Sequence, residues 1–322
     1  MQDKIIQRNI ELYRLISEQQ RKAKALLVDV KSDIIKILAN EDLTAIRRRR
    51  LESLIKQIDE RVKSGFDMIE TNVVDVQNEL VPHVMELSVK DAGFVRLVSD
   101  AALNRIVTDA LIMGSPAKKW WEKQAESTAF AFTAQVRQGI IEGESIGQIN
   151  GRIFPLLRQT EAQVFGLVHT SVLTVANDTR LAVFNANRDD LKALRQLSTL
   201  DGHTSEICMA YSGAEWNLDY EPVNGNKLPF NGGPPRHFRC RSVLIPITKI
   251  DFGNRTTRAS DEGQIRSDIT FDQFLDGKSK EYQDDLLGKG KADLWRAGTI
   301  TLRDLLDQSG RPLTLTQLKQ LN

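Results

Sequence analysis

A chain of 322 residues with 44 Lys+Arg against 43 Asp+Glu carries almost no net charge, so no global field marks nucleic acid or a membrane as its partner. Its length can bury a sizeable core and predicts two or three compact units. With 41% apolar and 27% charged residues the composition is that of a soluble protein, and only two cysteines argue against a secreted scaffold built on disulfides. Apolar runs such as 242–248 are too short to cross a bilayer, so no membrane anchor is expected. Met1 to Lys4 leads into a charged amphipathic pattern rather than a signal peptide. These features predict folding in a reducing cytoplasm.

Residues 1 to about 113 read as helix, with Leu12, Leu15, Ile16, Leu26, Leu27, Val30, Ile34, Ile35 and Leu38 at three- and four-residue steps. Leu51, Leu54, Ile55 and Ile58 start a second set. Asn40 to Asp42 reads as a break, Thr44 as a cap for the next helix, and Pro82 as a further boundary. Residues 100–112 again show helical spacing. Gly114-Ser115-Pro116 is a punctuation point, followed by Trp120 and Trp121, which fit core or interface anchors. The next helical run passes Phe130, Phe132, Val136 and Ile140, breaks between Gly143 and Gly147, and resumes from Ile149 to Leu157. One more helix is predicted from Thr160 to Asn185.

From about 192 the pattern changes. Residues 193–199 read as a strand. Residues 212–235 hold four glycines and four prolines and predict a long irregular loop. Residues 242–247 form a second strand, with Pro246 placing it at an edge or an end. In the tail, Thr270-x-x-Gln273 and Thr314-x-x-Gln317 are capping boxes. Gly288-Lys289-Gly290-Lys291 lacks the spacing of a phosphate loop and reads as a turn. Residues 301–307 predict a short helix. The fold class is thus mostly α with a small α+β module: a helical arm at 1–115, a central domain at 116–250 that is mixed at 190–250, and a helical tail at 251–322.

Scarce reactive residues concentrate in one segment. Both cysteines and two of the four histidines fall between 203 and 240. His203-x4-Cys208 and His237-x2-Cys240 supply two nitrogens and two sulfurs, a set that tetrahedral zinc accepts. In a loop-rich module a metal would stand in for a missing apolar core. The same cysteines also read as small buried apolar residues, or as a disulfide, which a reducing compartment disfavours. A cysteine nucleophile with a histidine base is a weaker reading, because neither cysteine lies in a nucleophile motif. Asp201, Pro234, Pro235 and Arg241 read as residues that order the surrounding loops. Arg236, Arg239 and Arg241 suit backbone carbonyls or acidic partners.

The N-terminal 64 residues hold 15 Lys+Arg against 10 Asp+Glu, a local net charge of +5. Arg47, Arg48, Arg49 and Arg50 sit inside a helical pattern, so their side chains spread around the helix. They could meet phosphates. The run equally suits a solvated helix surface with Glu52, Asp59 and Glu60 as neighbours.

Pro234-Pro235-Arg236-His237-Phe238-Arg239-Cys240-Arg241-Ser242, preceded by Leu200-Asp201-Gly202-His203-Thr204-Ser205-Glu206-Ile207-Cys208, resembles the phage Mu F-like minor head proteins, also called phage head morphogenesis proteins. Gly139 to Ile149 is similar to the family's glycine-punctuated helical lead-in, and Phe271 to Leu318 to its helical ending. The likeness spans about 139–247 well, the tail moderately and the N-terminal third hardly at all. His169-Thr170-Ser171 stands where the family has Arg-Thr-Glu, and Ser242 where it often has another cysteine. Without that cysteine, His203, Cys208, His237 and Cys240 are the remaining set for one structural zinc.

The resemblance implies a minor capsid protein of a bacteriophage virion, with no enzymatic step. Such a protein acts in head morphogenesis and viral assembly, sits near the portal protein or major capsid protein, and contacts double-stranded DNA during DNA packaging or DNA ejection. Assembly in the host cytoplasm is implied as well. Two other readings stand beside it. One is a nuclease or transferase-type effector, because F-like modules also occur joined to toxin domains. The other is a nucleic-acid-binding module working through the basic N-terminal helices. The last predicts that duplex-DNA affinity falls steeply with salt and that changing Arg47, Arg48, Arg49 and Arg50 together to Gln removes it, which a filter-binding salt titration measures.

Overall fold

The computed structural model describes residues 2–43, 46, 48–249 and 257–320. The fold is mostly α, about 63% helical, with a small α+β module. Among the described residues, no helix is long and apolar enough to cross a membrane.

The long helices come first: α1 (Gln2–Ala39), α2 (Arg48–Ala92), α3 (Asp100–Thr108), a short hairpin of β1 (Leu111–Ile112) and β2 (Ser115–Pro116), then α4 (Ala117–Ile141) and α5 (Ile146–Ala186). The break at Asn40 to Asp42 falls at the end of α1, and that between Gly143 and Gly147 separates α4 from α5. Thr44 lies outside the described residues. The predicted boundary at Pro82 does not form, for Pro82 lies inside α2. Proline removes one backbone donor. Val81, Val84 and Met85 around it are buried, so the apolar face continues through the fault. Pro155 is likewise spanned, and the two helices expected over 149–185 are one.

Two compact units emerge. One gathers residues 13–80 and 104–175; the other gathers 1–12, 81–103 and 176–322.

In the first unit, side-chain pairs join the helices in a ring. Arg61 reaches Asp33 at 2.9 Å between α2 and α1, and Arg137 grips Glu52 at 2.6 Å between α4 and α2. Gln124 reaches Gln163 at 2.8 Å between α4 and α5, and Lys24 meets Glu161 at 2.8 Å between α1 and α5. Inside lie Ile34, Leu38, Leu54, Ile58, Val136, Ile149 and Val164, all at 0% exposure. This is the amphipathic pattern read from the sequence, now packed. Gly65 lets α1 and α2 approach closely, since a Cβ there would stand 2.3 Å from Val30 Cγ2. Trp121 is buried, and the half-buried Trp120 donates its indole N–H to the Ile112 carbonyl at 2.7 Å.

The second unit holds the sheet. After α5 come β3 (Leu191–Leu197), α6 (Glu206–Ala210), β4 (Glu215–Trp216), β5 (Pro222–Val223) and β6 (Val243–Thr248). The sheet order is β5-β4-β3-β6, with every pair antiparallel. The region expected as one irregular loop therefore contains two short strands. Trp216 holds the return leg, donating its indole N–H to the Leu228 carbonyl at 2.8 Å. β6 is an edge strand, which tolerates Pro246. Leu197 faces Val243 in the register, so the segment leaving β3 and the segment entering β6 lie at one end of the sheet.

β7 (Thr257–Ser260) and β8 (Gly263–Arg266) form a hairpin, and β7 extends the β3 path through a parallel bridge from Leu200 to Ser260. The tail then folds as α7 (Phe271–Asp276), α8 (Lys280–Leu287), α9 (Lys289–Arg296), a 3-10 turn (Leu302–Leu305) and α10 (Leu315–Lys319). Both capping boxes form. The expected turn at 288–291 is a turn only at Gly288; Gly290 continues into α9, where a Cβ would stand 2.4 Å from Leu315 Cδ2. Its glycine therefore serves packing, not a bend.

The tail shares one apolar core with the loop after β3. Leu200 and Met209 pack with Phe271, Leu275, Leu287, Ala292, Leu302, Leu305 and Leu318. Leu305→Ala removes a fully buried side chain from this core. The expected loss is about 2–5 kcal/mol in guanidinium unfolding. An unchanged midpoint would show that the tail does not support this core.

Candidate metal centre

The end of the sheet where β3 leaves and β6 enters carries the cysteines and His237. Ser205 caps α6, accepting the Cys208 backbone N–H at 3.3 Å, which sets Cys208 in the first turn. Pro234 and Pro235, joined by a cis bond, lead into a tight turn closed by the Cys240 N–H on the His237 carbonyl at 3.1 Å. Arg239 sits at φ 61° in that turn. The turn puts His237 and Cys240 on one side.

Cys208, His237 and Cys240 bring one ligand atom each to within 4.8 Å of one another. His237 Nε2 lies 3.1 Å from Cys208 Sγ, and the two Sγ atoms are 3.5 Å apart. Both cysteines are buried thiols, at 2% and 0% exposure, while His237 is half-buried. Zinc with bonds of about 2.3 Å to sulfur and about 2.0 Å to nitrogen sets tetrahedral edges of about 3.8 Å between sulfurs and about 3.5 Å from sulfur to nitrogen. The observed edges are a few tenths of an ångström shorter, as in a site drawn in on its own hydrogen bonds.

The donor chemistry fits a metal as well. His237 Nδ1 lies 2.8 Å from the Phe238 carbonyl, which can only accept, so Nδ1 carries the proton. In the neutral ring Nε2 then presents its lone pair to the cluster. A ring N–H on a backbone carbonyl is the usual second contact of a metal-ligating histidine. The hydrogen bond from Cys240, helped by Ser242, Ser205 and the charge of Arg236, brings the Cys208 thiol down to about 7 against the effect of burial. Donating that hydrogen bond, and burial beside the developing anion, hold the Cys240 thiol well above its usual range. One sulfur of the pair is thus ready to bind as thiolate.

The surrounding groups tie the loops together. Ser198 Oγ donates to the Cys208 carbonyl at 2.7 Å and lies 2.9 Å from Ser242 Oγ. The Ser242 N–H points at Cys240 Sγ at 3.5 Å. Arg236 lays its guanidinium 3.5 Å over the Tyr211 ring and donates to Gln196 at 2.7 Å and to the Phe230 carbonyl at 3.1 Å. Arg258 is buried, with no carboxylate paired to it among the described residues; it donates to Ser212 Oγ at 2.7 Å, to the Ile269 carbonyl at 3.1 Å and to the Ser198 carbonyl, and burial pushes it down to about 9.

Three of the four expected ligands therefore meet, and His203 does not join them. It is exposed, in a turn pinned by its neighbours. Asp201 Oδ1 accepts the His203 backbone N–H at 2.9 Å, and Thr204 Oγ1 donates to the Thr199 carbonyl at 2.6 Å. Asp201 and Arg241 do order this loop, through a two-pronged pair at 2.5 and 2.6 Å. Ser205 and Ser198 were not singled out from the sequence, and Ser242 was noted only as standing in place of a cysteine, because serine spacing alone carries no metal signal. The helix-capping position of Ser205 before Cys208 was the available clue.

Arg47 lies outside the described residues. Arg48, Arg49 and Arg50 are exposed in the first turn of α2, and Arg50 is paired to Glu41, reaching it from Nε at 2.9 Å. They stand apart from the Cys/His cluster in the chain. Compared with protein-family models, curated proteins and solved structures, the chain matches none.

The Asp201 pair makes a pH prediction. Burial raises the Asp201 carboxyl, but hydrogen bonds from Arg241, its charge, the His203 N–H and Thr204 outweigh that and leave it below its ordinary 3.8. A carboxyl lowered on folding stabilises above its unfolded pKa, and the gain is lost as pH falls through the folded value. Asp201→Asn should therefore lower the urea midpoint at pH 7 and narrow its gap from wild type below about pH 3.8. A gap that stays constant with pH would show that the ion pair does not stabilise the loop.

Proposed function

We propose that this chain is a minor structural protein of a tailed-phage head, associating with the portal protein or the major capsid protein during assembly. The observation that carries the reading is a coincidence of place. The stretch that resembles the head morphogenesis family, Pro234 to Ser242, is the stretch whose His237 and Cys240 close on Cys208 in a buried cluster. The polar groups around it bind backbone carbonyls, other loops or one another. Both thiols face each other beneath the surface, which suits a staple better than a nucleophile that must reach a substrate.

In this reading the cluster holds one structural zinc, with Cys208, His237 and Cys240 as ligands. A metal there would lock the loop after β3 to the turn before β6 and so rigidify a docking module. Helices of 38 and 45 residues supply long faces for a large protein partner. Exposed Arg48 and Arg49 offer phosphate contacts, which makes double-stranded DNA a secondary partner near the portal. The protein would be located in the virion head after assembly in the host cytoplasm.

Two measurements test this. Elemental mass spectrometry on protein purified without a metal-affinity tag should find one zinc per chain, lost in His237→Ala. Portal protein co-expressed with the chain should co-purify with it, and Cys240→Ser should lower both the melting temperature and the recovered complex. A Cys240→Ser protein with unchanged melting and full portal binding would remove the staple. Failure of the wild type to bind portal or capsid protein would remove the head-protein reading.

A further inference from the structure

The three ligands leave one corner of a tetrahedron, and the geometry points to Ser205 Oγ as the fourth donor, making the site a two-sulfur, one-nitrogen, one-oxygen set without His203. This inference rests on the metal reading above. Ser205 Oγ lies 2.7 Å from His237 Nε2, the atom whose lone pair faces the cluster. Ser205 Oγ also accepts the Cys208 backbone N–H at 3.3 Å. It therefore touches two of the three ligand residues from the rim, where Ser205 and His237 are half-buried.

The edge length supports the same corner. Nitrogen and oxygen donors on one zinc stand about 3.3 Å apart, so the observed 2.7 Å is short in the same sense as the other two edges, and by more. All three edges are those of donors in direct hydrogen-bond contact. Loading a metal requires a small outward movement of each donor.

The other nearby oxygen is less suited. Ser242 is 1% exposed, and its hydroxyl is shared with Ser198 Oγ at 2.9 Å. His203 would have to leave a turn fastened at Asp201, Thr204 and Arg241. Ser205 needs no such rearrangement, because its backbone is already set by capping α6.

The choice of variant matters because Ser205 also caps a helix. Glycine serves at that position with little loss, and threonine keeps both cap and hydroxyl. The probe is Co2+ titrated into the metal-free full-length chain, followed by absorption, with Zn2+ competition for affinity. Wild type should bind one equivalent with tetrahedral ligand-field bands and sulfur-to-cobalt charge transfer. Ser205→Gly should weaken binding by about tenfold or more and shift the ligand-field bands. Ser205→Thr should restore both. Ser205→Cys should raise the charge-transfer intensity by about one half, as two thiolates become three. His203→Ala should match wild type.

Unchanged affinity and spectra in Ser205→Gly would overturn Ser205 as a ligand while leaving the three-residue site intact. A loss in His203→Ala instead would assign the corner to His203. If wild type takes up neither Co2+ nor Zn2+, the metal reading itself fails, and the fourth donor with it.

Discussion

The contact between Cys208, His237 and Cys240 is the constraint on which the α+β module turns. Its members are 29 and 32 residues apart in the chain, and only the sheet brings them together. Antiparallel pairing of β3 with β6 sets Leu197 against Val243, so the chain leaving one strand and the chain entering the other share an end. Everything that bears on the cluster follows from that register. A slip of one residue would turn alternate side chains to the opposite face and separate the sulfurs.

Polar groups with few alternatives then hold that end in place. Arg236, Arg241 and Arg258 each serve a separate part of it: the aromatic pair Tyr211 and Trp216, the Asp201 turn, and the carbonyls of Ser198 and Ile269. A buried arginine costs free energy unless its donors are used. At Arg258 the two Nη groups use theirs on chain segments, which makes it a joint between β3, α6 and the start of the tail, while Nε has no partner among the described residues. The tail in turn supplies the apolar mass, through Phe271, Leu275 and Leu305, that the loops lack by themselves. Lys291 on α9 closes on Glu206 of α6 at 2.7 Å, beside the helix that carries Cys208. Cluster, joint and core thus act on one short helix.

This arrangement has a functional sense. A module whose loops are held at a Cys/His cluster, at a buried arginine and at a shared apolar core presents a fixed surface. Assembly partners recognise fixed surfaces at low entropic cost. The long helices follow a different logic, packing their apolar stripes against one another and leaving charged faces outward. Arg50 is spent on Glu41, whereas Arg48 and Arg49 remain exposed, so the tetra-arginine run is not one uniform patch.

Local signals were legible in the chain. The capping boxes at Thr270 and Thr314, the breaks after α1 and α4, the edge position of Pro246 and the pairing of His237 with Cys240 all depend on residues within a few positions of one another. Short-range rules act there, and sequence alone determined them. It also determined the mostly α class, through apolar spacing that only helices can bury. Tertiary structure decided the rest. Pro82, itself exposed, stayed helical because Val81, Val84 and Met85 beside it are buried, and Gly290 became a packing contact because Leu315 arrived from the far end of the tail. His203 is held away from the cluster in a turn where Asp201 meets Arg241 forty positions away, and Ser205 meets His237 across 32 positions. Spacing along the chain records which atoms are available. Which of them meet is settled by register and packing, and those are properties of the folded molecule.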